Sequence, residues 1–188
     1  MRIITGKARG TRLLAPAGER TRPTAERVKE AVFSMIQFDI EGREVLDLFA
    51  GSGQMGLEAL SRGAAHATFV DHSADAVAVI RKNAQKTRLL ENCTILAGDF
   101  AEILGRLAGR VRFDIVFVDP PYGQGLVAKS LELLDKYRLL NPGALIVCEG
   151  GEYGLPGGLL AGNRYEGITT RKYGVTYINL LRFGGGEV

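Results

Sequence analysis

From residue 44 onward the chain alternates between two hydrophobic rhythms. Short apolar runs, VLDLF (45–49), ATFV (67–70), CTILA (93–97), FDIVFV (113–118) and ALIVC (144–148), read as strands buried on both faces. Between them QMGLEALSRG, ADAVAVIRKNAQ, FAEILGRL and LVAKSLELLDKY place apolar residues at i, i+3 and i+4, the spacing of one helix face. Strand and helix in turn predict an α/β domain, a largely parallel sheet covered on both sides. In such domains ligands gather beyond the carboxyl ends of the strands. The tail breaks the rhythm. RYEGITTRKYG and VTYINLLRF have strand composition and no helix between them, which predicts an antiparallel hairpin at the sheet edge.

The first 40 residues follow a different plan. RIIT and TRLLAP read as two short strands joined through GKARG, with Gly6 and Gly10 as turn residues. Thr24 is the expected N-cap of a helix carrying Val28, Ala31, Val32, Met35 and Ile36. The expected organisation is therefore an extension, residues 1–40, ahead of a main α/β domain, residues 41–188. At 188 residues and 46% hydrophobic content the chain suffices for one well-buried core. No apolar run is long enough to span a bilayer, and MRIITGKARG lacks the apolar centre of a signal peptide, so a soluble cytoplasmic protein is expected. Nothing in the pattern demands a dimer, and a monomer is expected.

Charge sharpens the picture at one end. The net charge is +3, yet residues 1–30 alone hold eight basic and three acidic side chains, and the rest of the chain sixteen basic and eighteen acidic ones. The whole cationic excess lies in the extension, where it would attract a polyanion. Arg2, Lys7, Arg9, Arg12, Arg20, Arg22 and Arg27 are the candidate contacts, with Thr24 among them. Cys93 and Cys148 have neither C-x-x-C spacing nor a neighbouring histidine cluster, so buried thiols are expected rather than a disulfide or a metal site. His66 and His72 read as surface or turn residues.

The stretch DLFAGSGQMG contains G-x-G-x-x-G at Gly51, Gly53 and Gly56, after a predicted strand and at the start of a predicted helix. That context points to a nucleotide, and Asp47 in the preceding strand chooses among nucleotides. A carboxylate there would repel a pyrophosphate resting on the helix start. The same carboxylate would pair with the ammonium of S-adenosylmethionine and favour its sulfonium. A nicotinamide oxidoreductase is disfavoured on this ground. Asp71 ends the next strand, where it can accept from ribose hydroxyls. Asp99, after the third, can accept from an adenine amine while Phe100 packs on the ring. Phe49 and Ser73 complete the candidate cofactor set.

FDIVFVDPPYG ends the fourth strand with Asp119, Pro120, Pro121 and Tyr122. Two prolines stop a sheet strand, but that does not account for the flanking aspartate and tyrosine. An exocyclic amine on a nucleobase is a poor nucleophile because its lone pair is delocalised into the ring. It reacts when two fixed acceptors hold its hydrogens and aim the lone pair. Asp119 supplies one acceptor and the Pro120 carbonyl the other, since Pro121 restricts the residue before it to an extended conformation. Tyr122 offers a face for the base to stack on. No metal is needed, because a sulfonium is already a good leaving group.

MRIITGKARGTRLLAP, TRPTAERVKEAVF, LDLFAGSGQMGLEALSRGA and VDPPYG, in that order, resemble the bacterial small-subunit ribosomal RNA guanine-N2 methyltransferases over almost the whole chain. The resemblance implies a seven-stranded class I methyltransferase sheet with an amino-terminal extension, S-adenosylmethionine as cofactor, and N2-methylguanine in small-subunit RNA as product. It places cofactor contacts on Asp47, Gly51, Gly53, Asp71, Asp99 and Phe100, and catalysis on Asp119 to Tyr122. It also implies a substrate already partly assembled with ribosomal proteins, and puts Arg20, Arg22 and Arg27 beside the RNA. Two features depart from the family's pattern. Gln54 and Met55 stand where small or aliphatic residues are expected. DPPY also resembles the signature of adenine-N6 DNA methyltransferases, which keeps an adenine-N6 methyltransferase as the rival reading beside a catalytically silent RNA-binding assembly factor.

Overall fold

The computed structural model describes residues 1–16, 23–121, 125–150 and 164–184. Helix α1 (Pro23–Met35) precedes β1 (Glu44–Leu48), α2 (Gln54–Ser61), β2 (His66–Asp71), α3 (Ala74–Lys86), β3 (Cys93–Ala97), α4 (Phe100–Leu107), β4 (Phe113–Val118), α5 (Leu126–Lys136), β5 (Leu140–Gly150), β6 (Tyr165–Tyr173) and β7 (Thr176–Phe183). The seven strands form one sheet in the order β3-β2-β1-β4-β5-β7-β6. The pairings among β1 to β5 are parallel, whereas β5 with β7 and β7 with β6 are antiparallel. The predicted tail hairpin is present, with β7 inserted beside β5 and β6 at the edge.

Alternation along the buried strands divides the core in two. Phe69, Phe117 and Val147 face a layer built with Val28, Val32 and Phe33 of α1 and Leu57 of α2. Val70, Val118 and Cys148 face the opposite layer with Leu104 of α4 and Leu134 of α5. Successive strand side chains point to opposite faces, so one sheet feeds both. Among the described residues no helix is long and apolar enough to cross a membrane.

The amino-terminal segment departs from expectation. In place of two strands there is a single antiparallel bridge between Arg2 and Arg12. Around that bridge Ile3 N–H donates to the Thr11 carbonyl at 3.0 Å, Gly10 N–H to the Ile3 carbonyl at 2.8 Å and Leu13 N–H to the Met1 carbonyl at 3.1 Å, while other backbone donors of the segment turn to α2 and α3. Ile4 and Thr5 N–H donate to the Glu58 carboxylate at 2.7 and 3.0 Å, and Ala8 N–H to Ser61 Oγ at 3.0 Å. Leu14 N–H donates to Asn83 Oδ1 at 2.8 Å. A Cβ on Gly6 would stand 1.7 Å from the Ser61 carbonyl oxygen, so only glycine lets this loop lie on α2. Ile3, Ala8 and Leu13 are buried in the same core as α1 and α2. Helix α1 begins at Pro23, one residue before the expected cap, which places Thr24 in its first turn; proline at the first helical position has no N–H to leave unsatisfied.

Under this segment lies a buried ionic cluster. Lys29 is 1% and Glu58 0% exposed, and their charged atoms stand 3.2 Å apart. Lys29 Nζ also donates to the Arg2 carbonyl at 2.5 Å, and Arg62 Nε to Glu58 at 2.8 Å. Glu58 therefore accepts from two backbone amides and two cations, the satisfaction a buried carboxylate requires.

Candidate active site

Residues Phe49 to Gly53 turn the chain from β1 into α2 above the carboxyl edge of the sheet. Phe49 has φ 67°, a left-handed conformation that a bulky residue adopts only where its surroundings impose it. Its ring lies against that of Phe100, centroids 5.0 Å apart and planes inclined by 48°. The glycines have separate duties. Gly51 and Gly53 turn at φ 53° and 74°. Gly56 gives α2 its close approach to β2, since a Cβ there would stand 2.4 Å from Phe69 Cε1.

The amides that would cradle a phosphate in a dinucleotide site already have partners. Gly51 N–H donates to Asp71 Oδ2 at 2.8 Å, Gly53 N–H to the Ala50 carbonyl at 2.7 Å, and Gly56 N–H to Asp47 Oδ2 at 2.8 Å. Two of those three acceptors are carboxylates. A pyrophosphate would have to displace them and then sit beside their charge, so the loop is built against a diphosphate.

Asp47 is 4% exposed. Burial lifts its carboxyl to about 8; the charges of Asp119 and Asp71 add to the rise and the Gly56 N–H opposes it. A carboxyl so placed gains most from a neighbouring cation. Asp71, at the end of β2, also accepts from Ser73 N–H at 2.8 Å through its second oxygen, and His72 Nδ1 stands 3.7 Å away. Each carboxylate oxygen has a further lone pair for a hydroxyl donor. Ser73 caps α3, its Oγ accepting from Ala76 N–H at 3.3 Å. Asp99 caps α4 through Oδ1, which accepts from Ala101 and Glu102 N–H at 2.9 and 3.2 Å. Asp71, Ser73 and Asp99 therefore serve as turn and cap residues in the fold. Asp99 Oδ2 takes no part in the cap bonds.

Asp119, Pro120 and Pro121 follow β4, the neighbour of β1 in the sheet. Asp119 and Pro121 are exposed and Pro120 is buried. Tyr122 lies outside the described residues. Register continues Val118↔Cys148 to bring Asp119 level with Glu149 at the end of β5. Both line one open cleft with Lys29, Gln54, Met55 and Val118. Burial raises the Glu149 carboxyl to about 8, with the Asp119 charge adding. Glu149 was not among the sequence candidates. It directly follows the ALIVC run, the same place relative to its strand that Asp119 holds, and that shared position was the available signal.

Arg2, Lys7, Arg9, Arg12 and Arg27 are exposed, whereas Lys29 is withdrawn into the core. Arg20 and Arg22 lie outside the described residues. Asn83, also unforeseen, ties this segment to the glycine loop, its amide nitrogen donating to the Leu14 carbonyl at 3.0 Å and the Ser52 carbonyl at 2.9 Å. His66 begins β2, with Nε2 2.8 Å from Thr94 Oγ1, and His72 is exposed. Cys148 is buried as expected, while Cys93 is only partly so. Among the described residues no cluster of histidine, cysteine or carboxylate side chains could hold a metal ion.

Seven strands in this order, the last two antiparallel, with a glycine loop at β1 and Asp-Pro-Pro at β4, define a class I methyltransferase. The chain belongs to the family described as Conserved hypothetical protein 95, which matches residues 1–182. It is 40% identical over 150 residues to YlbH of Bacillus subtilis (strain 168), covering 79% of this chain and 82% of that one. It is 38% identical over 163 residues to Ribosomal RNA small subunit methyltransferase D of Escherichia coli (strain K12), 83% of this chain and 78% of the relative. The solved structure of yhhF from Escherichia coli superposes with a TM-score of 0.87 at 32% identity, covering 98% of each chain.

Proposed function

We propose that the protein transfers a methyl group from S-adenosylmethionine to the N2 amino group of a guanine in small-subunit ribosomal RNA. The observation that carries this reading is the adjacency of two acids on neighbouring strand ends: Asp47, buried beneath the glycine loop, and Asp119, whose charge reaches it. One fits the ammonium of the cofactor. The other stands where an amine would receive the methyl.

When bound, the cofactor supplies a methyl group on a cationic sulfur. Asp47 anchors its ammonium, Asp71 its ribose, and Asp99 with Phe49 and Phe100 its adenine. Asp119 and the Pro120 carbonyl accept the two amine hydrogens, which turns the nitrogen lone pair toward the methyl carbon. The Asp119 charge also opposes the positive charge that grows on nitrogen as the new bond forms. Tyr122 stacks the base. The exposed arginines and lysine of residues 1–40 hold RNA phosphates, so this extension serves as the RNA-contacting part and residues 41–188 as the catalytic part. We read the protein as a cytoplasmic monomer acting, without a metal, on a partly assembled small subunit. The name of the Escherichia coli relative supports the class of substrate.

The test is transfer of label from the cofactor to small ribosomal particles lacking the modification, followed by mapping of the methylated nucleotide and digestion to nucleosides. The expected product is 2-methylguanosine. N6-methyladenosine would favour the rival enzyme, and no label on any RNA would favour an assembly factor.

A further inference from the structure

Two carboxylates at the head of one cleft are more than an amine needs. Phe117 and Val147 are paired in register and both face the α1 side of the sheet. Side chains two residues on return to the same face, so Asp119 and Glu149 lie side by side on adjacent parallel strands, roughly 4.8 Å apart along the hydrogen-bonding direction. Both border the cleft under α1.

The groups around them leave the cleft rich in acceptors. Lys29 is the one cation that lines it among the described residues, and its Nζ is already engaged by Glu58 at 3.2 Å and the Arg2 carbonyl at 2.5 Å. Gln54 Oε1 is buried and, among the described residues, meets no donor. Glu149 is likewise met there by no donor and is raised by burial and by Asp119. The cleft therefore calls for a ligand edge that donates.

The Watson–Crick edges of the two purines differ in this respect. Guanine presents N1–H beside its N2 amine, a run of adjacent donors. Adenine presents its amine beside an N1 lone pair. Enzymes that act on an extruded base read it by hydrogen bonds to this edge.

We infer that Glu149 accepts from N1–H of the target base while Asp119 accepts from the adjoining amine, so that Glu149 selects guanine against adenine. This rests on the guanine-N2 reaction proposed above and assigns its base specificity to a residue outside the Asp-Pro-Pro-Tyr motif. An adenine N1 lone pair facing the ionised Glu149, the form present above about pH 8, would leave the carboxylate without a donor and add repulsion, the kind of mismatch that discriminates more strongly than a missing methyl group.

The experiment, run above about pH 8 so that Glu149 is ionised, uses unmethylated small-subunit RNA in which the mapped guanine is replaced by ligation with 2-aminopurine, which keeps the C2 amine and offers a lone pair at N1. The wild-type protein should favour guanine by roughly 10- to 100-fold in kcat/KM, as for one hydrogen bond to a charged group. In Glu149→Gln the amide can donate to that lone pair, so the preference should shrink to about threefold or less while cofactor binding by calorimetry is unchanged. A merely structural role would slow both substrates equally, and that result would overturn the assignment. So would a wild-type protein that methylates both substrates at one rate, a measurement that needs no variant to fold. Failure of the underlying reaction looks different: the guanine RNA itself takes no label.

Discussion

Gly56 N–H donates to Asp47 Oδ2 at 2.8 Å, joining the third glycine of the loop to the acid beneath it. This bond partly offsets the burial that raises Asp47 to about 8. The folded protein thus holds a proton that the unfolded chain releases above roughly pH 4. Because the folded pKa is the higher one, stability without cofactor should fall as pH rises from roughly 4 to about 8, and Glu149 contributes with the same sign. Asp47→Asn keeps an acceptor for Gly56 and removes the titration. Its thermal midpoint should gain on wild type between pH 6 and pH 8, as denaturation scans at the two pH values would show.

Cofactor binding should respond in the opposite sense. The ammonium favours ionised Asp47, so binding below about pH 8 releases a proton. Affinity should rise with pH by up to about tenfold per unit and level off near the Asp47 pKa. Calorimetry in two buffers of different ionisation enthalpy counts the proton directly. Asp47→Asn should abolish both the pH dependence and most of the affinity.

Gly56→Ala drives a methyl group into Phe69, 2.4 Å from Cε1. A cost of about 1–3 kcal/mol is expected in urea denaturation. Adding Phe69→Leu should make the pair less destabilised than the sum of the single changes, because the smaller side chain clears the clash.

Glu58→Ala leaves Lys29 buried without its carboxylate and releases the Ile4 and Thr5 amides. The expected loss is about 3–5 kcal/mol. Amide exchange at Ile4 and Thr5 should accelerate even under conditions where β1 and β4 remain protected. Equal acceleration throughout the molecule would mean that the cluster stabilises the domain as a whole and not this anchor.

Replacing Lys7, Arg9 and Arg12 by alanine should weaken RNA binding with little effect on cofactor affinity. For each phosphate contact removed, the slope of log affinity against log salt should become shallower by about 0.7 to 0.9. Binding titrations at several salt concentrations measure it.

The elements of the sheet domain and the chemistry at its edge follow from short-range signals. Apolar periodicity separates strands from helices, the spacing of Gly51, Gly53 and Gly56 marks the loop, and Asp119 with its two prolines ends β4, all within about ten residues of chain. What tertiary structure alone decided depends on partners far away in sequence. Residues 1–14 carry strand composition, yet the amides of Ile4, Thr5, Ala8 and Leu14 bond to Glu58, Ser61 and Asn83, between 53 and 69 positions along the chain. Asp119 and Glu149 share a cleft because β4 and β5 run parallel, paired from Ile115↔Leu145 to Val118↔Cys148. Lys29, counted by composition with the cationic patch, is drawn inside because Glu58 meets it there. Local patterns are written by the conformations open to a few residues, whereas a buried charge or a shared cleft depends on which distant side chains the packed chain brings within reach.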